Sequence, residues 1–170
     1  MSKHTSFKIG GNADIYVTAK TSKDIQTTFQ FAKENEIPFV VLGNGSNLLV
    51  GDKGIRGIVL KVATEEITIQ KEQEYAYVIV QAGEPLAKLA HVLLKESIAG
   101  FEFAAGIPGT LGGACVMNAG AYGGEMKDVL VRVTVLDEDD KIHVIEKDDL
   151  ELGYRTSIIA KKGYTVLGAE

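Results

Sequence analysis

"GIPGTLGGACVMNAGAYGG" (residues 106–124) holds seven of the chain's 19 glycines in a run that is otherwise mostly small or apolar. Glycine loses more conformational freedom on folding than any other residue, so this concentration needs a reason. Ile107, Leu111, Val116 and Met117 alternate with the small residues, and Thr110 stands where it would cap a short helix starting near Leu111. A helix end behind Pro108-Gly109 would offer free amides and partial positive charge to an anion. Gly112, Gly113, Ala114, Ala119 and Gly120 would let a flat ring lie against the main chain. The competing reading is a tight helix–strand crossing, which suits one or two of these glycines better than seven.

The segments around this stretch read as two lobes. In residues 1–62, "ADIYVTA" (13–19) alternates as a strand does, and a helix is expected from Ser22 to Glu36. Thr21 and Asp24 form a capping box, Ile25, Phe29 and Ala32 form its apolar stripe, and Pro38 follows its end. "FVVLG" (39–43), "LLVGD" (48–52) and "GIVLKV" (57–62) are strand candidates, giving a β-α-β-β lobe. In residues 63–170, "EITIQ" and "YAYVIVQAG" are expected to pair antiparallel across a polar turn at residues 72–74. Pro85 opens a helix with Leu86, Leu89, Ala90 and Leu93 on one face, stopping near Gly100. "VLVRVTVLD" and "KIHVIE" form a second hairpin through Asp137-Glu138-Asp139-Asp140, read as a solvated turn in preference to a metal site. A helical turn, "KDDLELGY", follows, and "YTVLGAE" is a last strand with no closing element after it, as expected of one domain of a longer protein. The fold class is α+β.

Composition narrows the function. The formal net charge is −5, and no basic run longer than Lys161-Lys162 offsets it, which argues against nucleic-acid binding. One cysteine, Cys115, excludes an internal disulfide, and no cysteine–histidine spacing suggests a metal. No apolar run reaches membrane-spanning length and no signal region opens the chain, so a cytosolic protein is expected.

Two further stretches carry candidate chemistry. "LGNGSNLLV" (42–50) leads an apolar strand into Gly43, Asn44, Gly45, Ser46 and Asn47. Successive amides there can form an anion-binding nest without a lysine, and a tight turn between strands is the competing reading. "LGYRTS" (152–157) places Arg155, one of three arginines, between an aromatic and two hydroxyls. A guanidinium there can fork onto a carboxylate or phosphate, or pair locally with Asp148, Asp149 or Glu151.

Taken in order, "TSFKIGGNAD", "LGNGSNLLV", "GIPGTLGGACVMNAGAYGGEMKDV" and "LELGYRTS" resemble the bacterial UDP-N-acetylenolpyruvoylglucosamine reductase family, from Thr5 to Glu170. The resemblance implies an FAD-binding domain of the vanillyl-alcohol-oxidase type, with non-covalent flavin between two lobes. It implies that Gly43 to Asn47, with Leu48 alongside, cradle the FAD diphosphate. Ile107, Pro108, Gly109, Thr110, Gly113, Val116, Ala119 and Gly120 would lie against the flavin. Arg155 becomes the catalytic cation, with Tyr154 and Tyr122 facing the substrate. The implied reaction uses NADPH to reduce UDP-N-acetylglucosamine enolpyruvate to UDP-N-acetylmuramate. That is a cytoplasmic step of peptidoglycan synthesis, serving cell-wall biogenesis, cell shape and division. The family's proton-donor serine and its glutamate belong to a following substrate-binding domain, so Ser157 does not inherit that role and this portion is expected to be inactive alone. The alternatives are another flavin oxidase or dehydrogenase of the same fold, or a non-catalytic nucleotide-binding module. Covalent flavin is disfavoured, because His4, His91 and His143 lie outside both candidate flavin loops.

Overall fold

The alternation at 13–19 becomes β1 (Ala13–Ala19), and Thr21 caps α1 (Ser22–Glu34) through the expected box. Its hydroxyl accepts from the Asp24 amide (3.1 Å), while the Asp24 carboxylate accepts from the Thr21 amide (2.9 Å). The helix leads to β2 (Phe39–Leu42), and β3 (Ile55–Val62) enters between the two earlier strands in a parallel sheet ordered β1-β3-β2. The computed structural model describes residues 1–170 and divides them into two units, Met1–Thr64 and Glu65–Glu170.

In the first unit, α1 buries Ile25 and Ala32 completely or nearly so, and Phe29 meets Phe39 edge-on (5.6 Å). A second cluster, Met1, Leu42, Val50 and Val59, takes in Leu48 at its edge. The expected strand at 48–52 does not form. Val50 is buried and Leu49 exposed, so the alternation is real, but no neighbouring strand supplies a ladder. The segment instead crosses the main chain at 10–11, where the Gly11 amide donates to the Gly51 carbonyl (3.0 Å).

The second unit carries an antiparallel sheet ordered β4-β5-β10-β8-β9. Its hairpins are β4 (Ile67–Lys71) with β5 (Ala76–Gln81) and β8 (Arg132–Leu136) with β9 (Ile142–Glu146). The last strand, β10 (Thr165–Ala169), pairs with both β5 and β8 and so occupies the centre. Between the hairpins run α2 (Leu86–Lys95), α3 (Leu111–Val116), the short ribbon β6 (Gly120–Ala121) and β7 (Gly124–Glu125), and α4 (Met126–Val129). Helix α2 stops at Lys95, short of Gly100, and buries Leu86, Leu89 and Leu93. A further helix, α5 (Ile158–Lys162), was not anticipated. It is capped by Ser157, whose hydroxyl accepts from the Ala160 amide (3.2 Å), and ends in a left-handed Gly163. Both are ordinary helix-boundary signals. The acidic stretch at 137–140 is a turn: Asp137 Oδ1 accepts from the amides of Asp139 and Lys141, both at 2.9 Å.

Gly57 sits in β3 with φ 102°, and a Cβ there would run into the Pro38 carbonyl oxygen. Its amide donates to Asp14 Oδ2 (2.9 Å), beside the register shift in β1. Gly57→Ala is therefore expected to cost about 2–4 kcal/mol through strain and lost approach. Gly51→Ala, where a Cβ meets nothing within 4 Å, should stay within about 1 kcal/mol. Urea unfolding midpoints of the two variants make the comparison.

Candidate functional site

The glycine-rich stretch is held first by its own chain. The Leu111 amide donates to the Glu84 carbonyl (2.9 Å), and the Gly112 amide to the Ala82 carbonyl (2.8 Å). The expectation of free amides at the start of α3 is thereby corrected, since the loop between β5 and α2 takes two of them. The Gly113 amide is left without an internal acceptor, and Gly113 is exposed. Thr110 precedes the helix but makes no side-chain cap bond and is buried.

Close packing within the chain accounts for three of the seven glycines, only one of them on a helix. A Cβ on Gly112 would press on Ala82 Cβ (3.0 Å), one on Gly120 on the Gly124 carbonyl oxygen (2.6 Å), and one on Gly124 on the Phe103 ring (2.8 Å). Gly123, with Tyr122, forms the two-residue turn of the β6–β7 ribbon with both φ values positive, the geometry that twists with its strands. Gly106 and Gly113 remain as bare ground, with nothing near a Cβ but Thr110 Oγ1 at 3.7 Å from Gly113. Pro108 is exposed, while Ile107, Gly109 and Val116 are half-buried.

Past α3 the chain turns on Asn118, which sequence reading missed. It is buried, and its backbone is left-handed (φ 45°), a region asparagine tolerates. Its Nδ2 donates to Glu125 Oε2 (2.6 Å) and to the Gly153 carbonyl (3.2 Å), and its Oδ1 accepts from the Lys127 amide (2.9 Å). One carboxamide thus ties the glycine-rich stretch, the ribbon and the "GYRT" turn together. Asn-Gly-type turn chemistry is legible in sequence, but a partner 35 residues away is not.

The "GYRT" turn is closed by two backbone bonds between Gly153 and Thr156 (3.1 and 3.3 Å), and it lifts Tyr154 and Arg155 into the open. They border a cavity of about 360 Å³ with Ala119, Gly120, Asn118 and Glu125. The structure therefore brings Ala119, Gly120, Tyr154 and Arg155 to one place. It does not bring Tyr122 to that wall; this side chain is 96% exposed at the ribbon's tip. Glu151, one of the carboxylates considered for Arg155, pairs with Lys161 (2.5 Å). Ser157 is fully buried and donates to the Val116 carbonyl (2.6 Å), in keeping with a structural role.

In the first unit, Gly43 to Asn47 follow β2 as a loop. Gly45 is buried against the N-terminal segment, where a Cβ would strike the His4 carbonyl oxygen, and its own carbonyl accepts from the Ser6 amide (3.1 Å). Lys61 Nζ donates to the Gly43 carbonyl (2.6 Å) and to Asn44 Oδ1 (3.0 Å). Asn44 and Asn47 are exposed and Ser46 half-buried, whereas Leu48 belongs to the apolar cluster. His4 stacks on Tyr16 (4.0 Å), and burial pushes the Tyr16 hydroxyl pKa up.

Residues 13–146 match the family described as FAD binding domain, and the chain belongs to that family. Along its full length it is 50% identical to the UDP-N-acetylenolpyruvoylglucosamine reductase of Alkaliphilus oremlandii, of which it covers 55%. The crystal structure of the corresponding reductase from Thermus caldophilus superposes with TM-score 0.81 at 34% identity, covering 99% of this chain and 58% of that one. A VAO-type flavoprotein from Myceliophthora thermophila C1 shares the fold alone (TM-score 0.68, 18% identity, 89% of this chain and 30% of that one). The chain spans about half the length of the reductases it matches. No helix is long and apolar enough to cross a membrane.

Two outcomes follow from this geometry. Asn118→Ala strips partners from Glu125 and the Gly153 carbonyl, so stability should fall by about 2 kcal/mol. Trypsin should then cut after Arg155 several-fold faster, as read by mass spectrometry. Cys115 is wholly buried, and desolvation pushes its thiol up to about 12. Because that leaves the neutral thiol dominant at pH 8, a disulfide reagent should label it only after denaturant is added.

Proposed function

We propose that this chain is the FAD-binding portion of a UDP-N-acetylenolpyruvoylglucosamine reductase. The whole enzyme would use NADPH to convert UDP-N-acetylglucosamine enolpyruvate into UDP-N-acetylmuramate, in the cytoplasm, for peptidoglycan synthesis and hence cell shape and division. The observation that carries the reading is the 45–50% identity to proteins of that name over the whole chain. The remaining length of those relatives is the natural place for the rest of the substrate site.

The residues present suit a flavin dinucleotide. Gly106 and Gly113 offer uncovered main chain, and the Gly113 amide awaits an acceptor. Gly43 to Asn47 would hold the diphosphate, with Leu48 anchoring that loop to the core. Ile107, Pro108, Gly109, Thr110, Val116, Ala119 and Gly120 would shape the bed of the ring. When bound, the flavin supplies hydride for the enolpyruvyl double bond. Arg155 holds the substrate carboxylate and stabilises the negative charge that grows there, and its guanidinium cannot lose its proton under working conditions. Tyr154 stands beside it as a substrate contact, and Tyr122, at the ribbon's tip, would reach the nucleotide–sugar end.

Purified chain mixed with FAD should quench flavin fluorescence and retain the flavin bands through gel filtration. Denaturation should release all of it, because the flavin is not covalently attached. Absence of binding would remove the reading. In the full-length enzyme, Arg155→Ala should lower kcat by roughly 10²–10³ with flavin content unchanged. This chain alone, given NADPH and the enolpyruvyl substrate, should yield no product, and stoichiometric product would refute the division of labour.

A further inference from the structure

We propose that Asn118 is a positioning residue for Arg155, a role that rests on the reading of Arg155 given above. The chain leaving α3 holds both ends of one turn. Asn118 Nδ2 donates to the Gly153 carbonyl (3.2 Å), just before Tyr154 and Arg155. The Val116 carbonyl, at the end of α3, accepts from Ser157 Oγ (2.6 Å), two residues after Arg155. Between these tethers the turn is closed by two backbone bonds, both linking Gly153 and Thr156 (3.1 and 3.3 Å). Tyr154 is 93% exposed, so packing of that side chain does not steady the tip. The backbone of Arg155 is therefore set from the base of the turn, where Asn118 reaches it.

The carboxamide is itself held at every group it can use. Its Oδ1 accepts from the Lys127 amide (2.9 Å), and Nδ2 also donates to Glu125 Oε2 (2.6 Å), so the amide has one orientation. Glu125 in turn takes Lys127 Nζ on its other oxygen (3.1 Å). The left-handed backbone at residue 118 (φ 45°) would be met at less cost by glycine. What asparagine adds there is the side chain, and its longest reach in sequence ends at the turn that carries Arg155. Asn118 and Arg155 also border the same cavity. A group that stabilises developing charge loses up to about a hundredfold in rate when it is misplaced by about 1 Å, so a single tether at this base can matter to turnover.

Asn118→Gly keeps the left-handed backbone and removes the tether, and it is compared with wild type in two settings. In this chain, hydrogen exchange should quicken by about tenfold at the Gly153 and Thr156 amides and stay unchanged in β5 and β8. In the full-length enzyme, kcat should fall about tenfold, with flavin content and the rate of flavin reduction by NADPH unchanged. In an Arg155→Ala background the same substitution should change kcat by less than about twofold, because the residue it positions has gone. An equal loss in both backgrounds, a slowed reduction by NADPH, or unaltered exchange at the turn would each overturn the proposal and leave Arg155 its role. If Arg155→Ala itself leaves kcat intact, the reading of Arg155 fails and the role of Asn118 fails with it. Should Asn118→Gly not fold, Asn118→Asp replaces it with the same outcomes, since aspartate keeps the shape but sets an oxygen where Nδ2 donated. Should neither fold, the wild-type chain decides: the Gly153 and Thr156 amides must exchange at least about a hundredfold more slowly than in an unstructured peptide, and unprotected exchange overturns the proposal.

Discussion

The second unit depends on one backbone-to-backbone closure, in which carbonyls of the loop from β5 to α2 accept from amides of the first turn of α3. Ala82 and Glu84 accept from Gly112 and Leu111, the Leu86 amide returns a bond to the Gly109 carbonyl, and the Ala82 amide donates to Leu167 in the central strand. Groups this close leave no room for side chains, and the Cβ missing from Gly112 is what lets Ala82 sit where it does. Each buried amide spent in this way avoids the cost of an unpaired donor. The site's floor is thereby joined directly to the sheet's middle strand.

The subsites proposed in each unit, taken separately, make opposite electrostatic demands. A diphosphate needs concentrated positive charge and amides, and the first unit places a lysine under an amide-rich loop. A flat ring needs a smooth, neutral floor, and the second unit provides open main chain at Gly106 and Gly113. The cavity beside Arg155 is bordered by small residues together with Glu125, whose carboxylate is occupied by Asn118 and Lys127. A carboxylate engaged in this way competes less for an incoming guanidinium partner.

Much of this was legible in the residues. Thr21, Asp24 and the Ile25 stripe announced α1, and local periodicity announced both antiparallel hairpins, because caps and alternation act over a few residues. The segment at 48–52 misled for a physical reason: alternating burial against a single crossing chain looks the same in sequence as a strand in a ladder. Gly112, Gly120 and Gly124 were opaque because a glycine excluded by a neighbour's Cβ or ring reads like one cleared for a ligand. Lys61 and Asn118 were invisible for a related reason. Their partners lie 17 or 18 and up to 35 residues away, and only the register of β2 on β3 and the turn at Gly153 bring them in.

Two of the chain's left-handed residues stand at the proposed site. Of eight non-glycine residues with positive φ, Glu36 and Ser97 follow helix ends, Tyr122 and Asp140 occupy hairpin turns, and Glu151 closes a 3₁₀ turn. Asn118 follows the end of α3 in the same way, Arg155 lies in the turn closed between Gly153 and Thr156, and Lys8 ends a turn whose amide donates to the Thr5 carbonyl. Asn118 and Arg155 border one cavity, and Asn118 donates to the Gly153 carbonyl at the base of the turn that carries Arg155. A glycine at 155 would relax a turn already closed on both sides by backbone bonds, yet an arginine is retained there at φ 53°. The ends of the turn are held by Asn118, which donates to the Gly153 carbonyl, and by Ser157, which donates to the Val116 carbonyl. The turn thus sets the backbone at Arg155, the residue proposed above to meet the substrate carboxylate.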